Sequence, residues 1–491
     1  MKIETDSINM LFRRITILAA IFLTWPFFSK TADAREYYQL PGVMHVHSIY
    51  SSGRYSIEEL IAKAVEKKLG VLVLTDHDQV VMEYGLFPLR HLVKKREEKK
   101  SVIRTGPQAY LADIERLNTR QKSVIIIPGV QSSPFYYWGG NPFGRGLTAY
   151  DYRKELLLVG LSAPDDYSSL PRLHGGFSTR YARDLWPRFM VFFAAFLLSV
   201  YLMLQKGKFS KAGLAIALLS MALMINHHPF KSSRFDPYHG DQGTAPYQEV
   251  IDYAKNRGGL VFWAHPESNY SRGGVQMGPI KMITKHYPEV LMDSRHYTGF
   301  AALYGDNSSA ADAGGHWDKV LADYCRGRRG QPVWAIAGAD FHQEQNGVDL
   351  DTFQTIFLVH ARRSQAVLQA LERGRFYVVQ KSKDSRLALD QFKIRDNSSG
   401  DAAIMGEEIY VKGTPIVEGR ISAIDGSGQN VSISICRGGK QTWSFKGQTP
   451  LDFHLVDQDE WHGKSFYRLD VQSTTGGHLL SNPIFVIRNN G

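Results

Sequence analysis

Cysteine is almost missing from this chain: two in 491 residues, Cys325 and Cys436, with no Cys-x-x-Cys. That excludes a disulfide-stapled scaffold and a thiolate zinc site. Export would permit the two to pair, but nothing in their spacing asks for it. Long blocks of one charge are missing too. The formal net charge is +10, yet the basic residues are spread out, and the densest run, Lys94–Lys100 (KKREEKK), is mixed in sign. Such a run reads as a solvated helix face. No zinc-finger or RNP-type signature occurs, so no nucleic-acid partner is expected. Long low-complexity tracts and internal repeats are absent as well. With 43% hydrophobic and 22% charged residues, the composition is that of a folded protein. The length predicts roughly two or three domains.

What the chain does have is apolar sequence in two unusual places. Near the start, Arg13 and Arg14 precede the apolar stretch Ile15 to Phe28, and Ala32-Asp33-Ala34 comes next. That is the layout of a secretory signal peptide over residues 1–34, or of an uncleaved N-terminal anchor; either exports the rest of the chain. Residues 186–204 (WPRFMVFFAAFLLSVYLML) form a second apolar run. Its nineteen residues would span roughly 28 Å as a helix, close to a hydrocarbon core. A third run, 212–226, comes after QKGKFSK, and the two read as a helical hairpin over 186–226, spanning a membrane or buried as a re-entrant pair. Lys206, Lys208 and Lys211 at its tip place the tip in the cytoplasm, although the flanks carry Arg180, Arg183, Arg188, Lys231 and Arg234. The expectation is an exported protein, membrane-associated through the hairpin, with its folded parts on the periplasmic or extracellular side.

Between residues 35 and 385 short apolar runs alternate with helical stretches. The runs are Gly42–Val46, Val71–Leu74, Val124–Ile127, Leu156–Leu161, Leu260–Ala264, Phe300–Tyr304, Val333–Ala337 and Thr355–Val359. Bounded by Gly, Pro or polar residues, they read as buried parallel strands. Ser56 with Glu59 is a capping box opening the helical stretch Ser56–Lys68, and Tyr247–Asn256 is another helix. Repeated β–α units predict an α/β barrel or a doubly wound sheet, with the hairpin inserted in a βα loop. Residues 386–491 change texture to short alternating strands with Gly, Ser and Asp turns, which predicts a small C-terminal antiparallel β-sandwich.

Polar residues succeed these strands in a pattern. His45 and His47 end the first, Asp76 and His77 come after the second, Gln131 after the third, His265 after the strand at Leu260, and Asp340 and His342 after the strand at Val333. In a barrel the C-terminal strand ends meet on one face. Five histidines and an aspartate converging there have no packing rationale, because buried imidazoles without partners are costly. Nitrogen and carboxylate donors without thiolates point to zinc, manganese or iron.

The segments HVHS, TDHD, PGV, AHPE and GADFH, in that order, resemble the PHP (polymerase and histidinol phosphatase) family. Residues 317–342 and the stretches LERGRFYV and LLSNPIFV also resemble its stand-alone members. The resemblance covers roughly 40–165 and 247–385 and implies a distorted (β/α)7 barrel, one to three divalent ions, and hydrolysis of a small phosphorylated substrate. Matched residue by residue, it groups His45, His47 and Asp340 at one metal, His77 and His342 at a second, and leaves His265 at the third. Three positions depart from the family pattern: Ser52 where relatives carry Asp, Gln131 where they carry a bridging Glu, and Leu157 where a His is usual. A neutral amide bridges two cations poorly, so an incomplete cluster is expected, with Asp76 orienting a ligand or acting in catalysis. His265 or His342, if free of metal, would assist the leaving group. His227, His228, His239 and Asp241 after the hairpin are candidates to replace a missing ligand, and Arg54, Arg145 and Arg234 are candidate phosphate donors. The expected activity is a membrane-tethered metal-dependent phosphoesterase; the alternatives are a degraded scaffold that binds metal or a partner, and a hydrolase of an envelope polymer. No sequence feature names a protein partner for the sandwich.

Overall fold

The apolar runs become strands. They are Tyr38–Val46, Val71–Leu74, Ile125–Ile127, Leu156–Val159, Leu260–Trp263, Gly299–Leu303, Trp334–Ala337 and Phe353–Val359. Most are buried at every residue, which is why they show no apolar–polar alternation. The computed structural model describes residues 37–141, 146–205, 210–270, 272–306, 308–345, 347–382 and 385–488. The expected signal peptide or anchor, 1–34, lies outside the described residues.

The strands are not all parallel, as expected of βα units. Leu156–Val159 runs antiparallel to both its neighbours, Gly129–Ser132 and Leu260–Trp263. Nor, among the described residues, do they close into one ladder. One sheet runs through Ile125–Ile127, Val71–Leu74, Tyr38–Val46 and Phe353–Val359; another runs through Asp76–His77, Gly129–Ser132, Leu156–Val159, Leu260–Trp263, Gly299–Leu303 and Trp334–Ala337. The third strand crosses from one sheet to the other at Pro128, which has no N–H to donate to either ladder. At the opposite edge the first strand meets the segment after Trp334–Ala337: the Phe341 N–H donates to the His45 carbonyl at 3.0 Å and the His47 N–H to the Phe341 carbonyl at 2.9 Å. Among the described residues the architecture is thus a mixed α/β assembly of several sheets rather than a closed barrel.

Local signals explain the helices and correct one expectation. Ile57–Glu66 starts at a complete capping box, with Ser56 and Glu59 satisfying each other's backbone N–H groups. Lys94–Glu98, expected as a helix face, is a strand paired antiparallel with Val81–Gly85. Its alternate residues Lys94 and Arg96 both reach the buried Glu83, at 2.8 and 3.7 Å, so the period is two.

Ala182–Leu204 and Ser210–Asn226 are helices packed along one another. Only the first is long and apolar enough to cross a membrane. Their seam is built from small residues: a Cβ on Gly213 would lie 2.9 Å from Met203 and 3.0 Å from the Ser199 carbonyl.

Beyond residue 386 the described chain is mostly strand, antiparallel except where Glu408–Val411 runs parallel to Ile484–Arg488. Ala402–Ile404, Leu387–Asp396, Pro415–Ala423 and Leu451–Val456 form one sheet. His478–Ser481 joins Phe376–Gln380, which pairs with Phe353–Val359, so the other C-terminal strands continue the sheet that contains the first strand. Arg468 ties them further: its guanidinium grips the Asp318 carboxylate at 2.7 and 2.8 Å, both side chains fully buried. Cys325 and Cys436 are free thiols, and the Cys436 S–H donates to Asp318 at 3.3 Å.

Candidate metal centre

The first strand does not present His45 and His47 by simple alternation. A bulge lies at His45, where the pairing with the next strand shifts register between Met44 and Val46. His45 there takes φ +65°. His265 and Asp340, each just past its strand, also have positive φ, +24° and +45°. Left-handed backbone is costly for residues with a Cβ and concentrates where function fixes a side chain. Three such residues aim at one point.

That point is the Asp340 carboxylate. Its Oδ1 lies 3.1 Å from His45 Nε2, 3.3 Å from His47 Nε2 and 3.3 Å from His342 Nε2. The rings of His47 and His342 stack, centroids 4.2 Å apart, and those of His45 and His265 stack at 5.6 Å. The donors fall into two groups, His45 with His265 and Asp340, and His47 with Asp340 and His342, each with its ligand atoms within 4.8 Å of one another. This grouping differs from the one the resemblance implies: Asp340 is common to both, and His342 goes with His47. His77 lies beside the second group, its ring 4.7 Å from His47 and 6.4 Å from His342.

Whether these residues fit a metal is answered by their unused atoms. His45 Nε2, His47 Nε2, both ring nitrogens of His265 and the Gln131 Oε1 are buried without a well-formed hydrogen bond, although the Asp340 and Glu155 carboxylates stand within 3.3 Å of the three Nε2 atoms. Buried polar groups are almost always satisfied. Burial, followed by His342, holds His47 well below its ordinary pKa, so its imidazole stays neutral. Burial works against the Asp340 charge, but His45, His342 and His47 hold its carboxyl well below the usual range. A neutral His47 imidazole beside an ionised Asp340 carboxylate gives nitrogen and oxygen donors of the kind that suit a divalent ion.

The sequence reading missed Glu155. It is buried; its Oε2 lies 3.2 Å from His265 Nε2 and accepts from Gln131 Nε2 at 2.6 Å, while its Oε1 accepts from the Ser133 hydroxyl at 3.0 Å. Burial raises its pKa, but His265 and Arg153 outweigh that and hold the carboxyl at about 2. The strand Leu156–Val159 runs against its neighbours, so its N-terminal end faces the site and delivers the residue before it. Leu157, where a ligand was sought, is fully buried and pairs with Gln131 across the ladder. Gln131 spends its amide nitrogen on Glu155 and leaves its oxygen buried without a hydrogen-bond partner.

Asp76 is not among the residues that line the cavity beside His265, Asp340 and His342. Its carboxylate accepts from the Ser48 N–H and hydroxyl, both at 2.8 Å, and from the Ser51 hydroxyl at 2.6 Å; Ser51 Oγ lies 3.3 Å from His47 Nδ1. Ser52 does the same for His342, whose Nδ1 is 3.0 Å from its hydroxyl. Gly53 closes this loop against the His47 carbonyl, where a Cβ would approach to 2.0 Å.

A cavity of about 390 Å³ opens beside His265, Asp340 and His342, with Arg54, Arg153 and Lys285 on its walls. The Arg153 guanidinium rests over the Tyr270 ring at 4.3 Å. Arg54 was expected there; Arg153 and Lys285 were not. Arg145 lies outside the described residues. Arg234 is turned elsewhere, to Glu249 at 2.7 Å. The loop histidines do not supply a ligand: His227 stacks on Phe192 at 5.0 Å and His239 pairs with Asp236 at 2.9 Å. His227 and His228 line a different cavity.

Comparison with known proteins adds a family. A model described as PHP domain matches residues 44–337. No curated protein matches the chain. Among solved structures, a two-domain protein from Bacteroides vulgatus ATCC 8482, containing a predicted PHP-like metal-dependent phosphoesterase, shares 11% identity over 90% of this chain and 92% of its own, with a TM-score of 0.36. Another, from Bifidobacterium adolescentis ATCC 15703 and proposed to be a metal-dependent phosphoesterase, shares 14% identity over 62% of this chain and 87% of its own, with a TM-score of 0.27.

Proposed function

The chain belongs to the PHP domain family, and from that premise we propose that it is a metal-dependent hydrolase of phosphoesters, exported and held at a membrane by its two apolar helices. The observation that carries the hydrolase reading is the set of imidazole nitrogens, without well-formed hydrogen bonds, converging on Asp340 beside a cavity walled by cations. His45, His265 and Asp340 would hold one ion and His47, Asp340 and His342 another, with zinc, manganese or iron matching the donors. A bound divalent ion supplies positive charge to a phosphoryl oxygen and acidifies water. The chain's own part is to receive the substrate. Arg54, Arg153 and Lys285 offer donors to phosphate oxygens, and Arg153 is backed by Tyr270. Where His265 or His342 holds no ion, it can give a proton to the leaving oxygen. The cavity suits a small phosphorylated molecule.

The test is phosphate release from generic mono- and diesters with added Mn²⁺ or Zn²⁺. His45→Ala is expected to lower the rate by about a hundredfold or more; equal rates in the two proteins would overturn the reading. A second reading, a scaffold that binds metal or a partner without turnover, is favoured by the neutral Gln131 and apolar Leu157, at positions where the family resemblance implies ligands. It predicts retained metal with no hydrolysis of any ester.

The membrane reading rests on what the helices expose. In the most apolar window of Ala182–Leu204 only 6% of the residues are buried, whereas a core helix would be covered. At 23 residues it is about 35 Å long, enough to span. Apart from Asn226 at the helix end, the residues buried in these two helices are Ser199, Gly213, Ala217 and Ser220, small side chains of the kind by which helices pack in lipid. The C-terminal strands are read as a small β-sandwich beside the PHP domain. Retention in the membrane pellet after alkaline extraction, lost when 186–226 is deleted, is the expected result; release of the intact chain would refute it.

A further inference from the structure

Where the two apolar helices enter the rest of the chain lies a second cavity, about 440 Å³, unconnected with the residues of the metal centre. We propose that it holds the phosphate of an anionic lipid headgroup, a reading that rests on the membrane assignment of the helices. Its walls carry His91, Lys94 and Arg96 from the Val81–Glu98 strand pair, Arg188 from the first helix and Lys231 from the segment after the second. Two carboxylates face them. Glu83 is taken up by Lys94 and Arg96, and Asp236 by His239. Arg188 and Lys231 are left with no ion-pair partner among the described residues; Lys231 reaches only the Asn226 carbonyl, at 3.4 Å. Burial draws Lys231 down to about 8 against the pull of Asp236, and burial with Lys231 draws His91 to about 4. Partly desolvated cations that crowd one another are what an anion relieves.

Leu92, Phe177 and Phe230 also line this cavity, and further apolar residues are exposed in the same turn as Leu92. The turn between the two strands exposes Leu86, Phe87, Leu92 and Val93, Phe87 at 81%. Phe177, 76% exposed, stacks on Phe230 at 4.8 Å. The turn is fixed at the level of the helix end: the His91 N–H donates to Asn226 Oδ1 at 2.8 Å, and the Arg90 guanidinium lies over Tyr238 at 4.0 Å. Exposed apolar residues beside a cationic pocket, at the ends of helices that enter lipid, match a headgroup at both its ends: acyl chains against those side chains, phosphate in the pocket.

The experiment uses the full chain in nonionic detergent, titrated with dioctanoyl phosphatidic acid, with dioctanoyl phosphatidylcholine and with inorganic phosphate, and read by native mass spectrometry. Phosphatidic acid is expected to be retained in preference to phosphatidylcholine. Arg188→Gln and, separately, Lys94→Gln, both at exposed positions, are expected to weaken that binding about tenfold, roughly one charged hydrogen bond. Equal affinity for inorganic phosphate would identify a soluble anion and overturn the lipid assignment. Unchanged phosphatidic acid binding in both variants, with the chain still resisting alkaline extraction, would overturn this site and leave the membrane reading intact. Release of the chain on alkaline extraction would remove both.

Discussion

Glu155 and Gln131 decide together how the centre tolerates its departures from the family pattern. Gln131 donates to Glu155 at 2.6 Å, so the carboxylate missing at one position stands at the other. Glu155→Gln therefore leaves His265 without its carboxylate, and metal retained after dialysis, measured by mass spectrometry, is expected to drop about 10- to 100-fold in affinity. Gln131→Glu tells the two functional readings apart. In a degraded site it restores a ligand and raises hydrolysis. In this geometry it sets two carboxylates against each other, and like charges at that distance cannot both ionise; metal retention should fall. Asp76→Asn keeps one oxygen for the Ser48 N–H and the Ser51 hydroxyl but puts an NH2 where the Ser48 hydroxyl now donates, and it removes the charge from the loop that carries Ser51 to His47. It should cost about 1–3 kcal/mol in urea unfolding and weaken metal binding without removing any direct ligand.

At the level of elements, direction matters more than composition. A strand that runs with its neighbours contributes the residue after it, and one that runs against them contributes the residue before it. Leu156–Val159 is of the second kind. The apolar helices make the opposite use of an element: their exposed faces are large and their shared seam is small. Gly213→Leu would drive a side chain into Met203 and the Ser199 carbonyl. Overpacking of this kind costs about 1–3 kcal/mol. The expected result is a lower unfolding temperature in detergent and a broadened elution profile, with metal content unchanged, because the seam touches none of the ligands.

Across the whole molecule, the metal centre and the C-terminal strands are held in one unit by a continued sheet and by the Arg468–Asp318 pair. The pair is bidentate, fully buried, and joins residues 150 positions apart. Arg468 also caps the Ala311 carbonyl at 2.9 Å and lies over Trp317 at 4.8 Å. Removing one partner of a buried pair leaves an uncompensated charge, so Arg468→Met should destabilise the fold by about 3–5 kcal/mol. Adding Asp318→Leu should recover much of that loss, since an apolar replacement of both partners is often neutral. Denaturant unfolding of the two variants checks the prediction; equal stability of both would mean the pair is not the tie.

The sequence by itself determined where the eight apolar strands lie and that His45, His47, His265, Asp340 and His342 stand at or just past their ends. Those features are local: an apolar run bounded by a breaker forms a strand, and its polar neighbour marks the mouth. Only the tertiary structure decided which imidazoles share Asp340, that Glu155 stands beside Gln131 and His265, and that Lys94–Glu98 is a strand facing Glu83. Each depends on strand direction or on a partner far away in the chain. Ladder polarity and register are settled by packing between segments, a choice that no window of neighbouring residues contains.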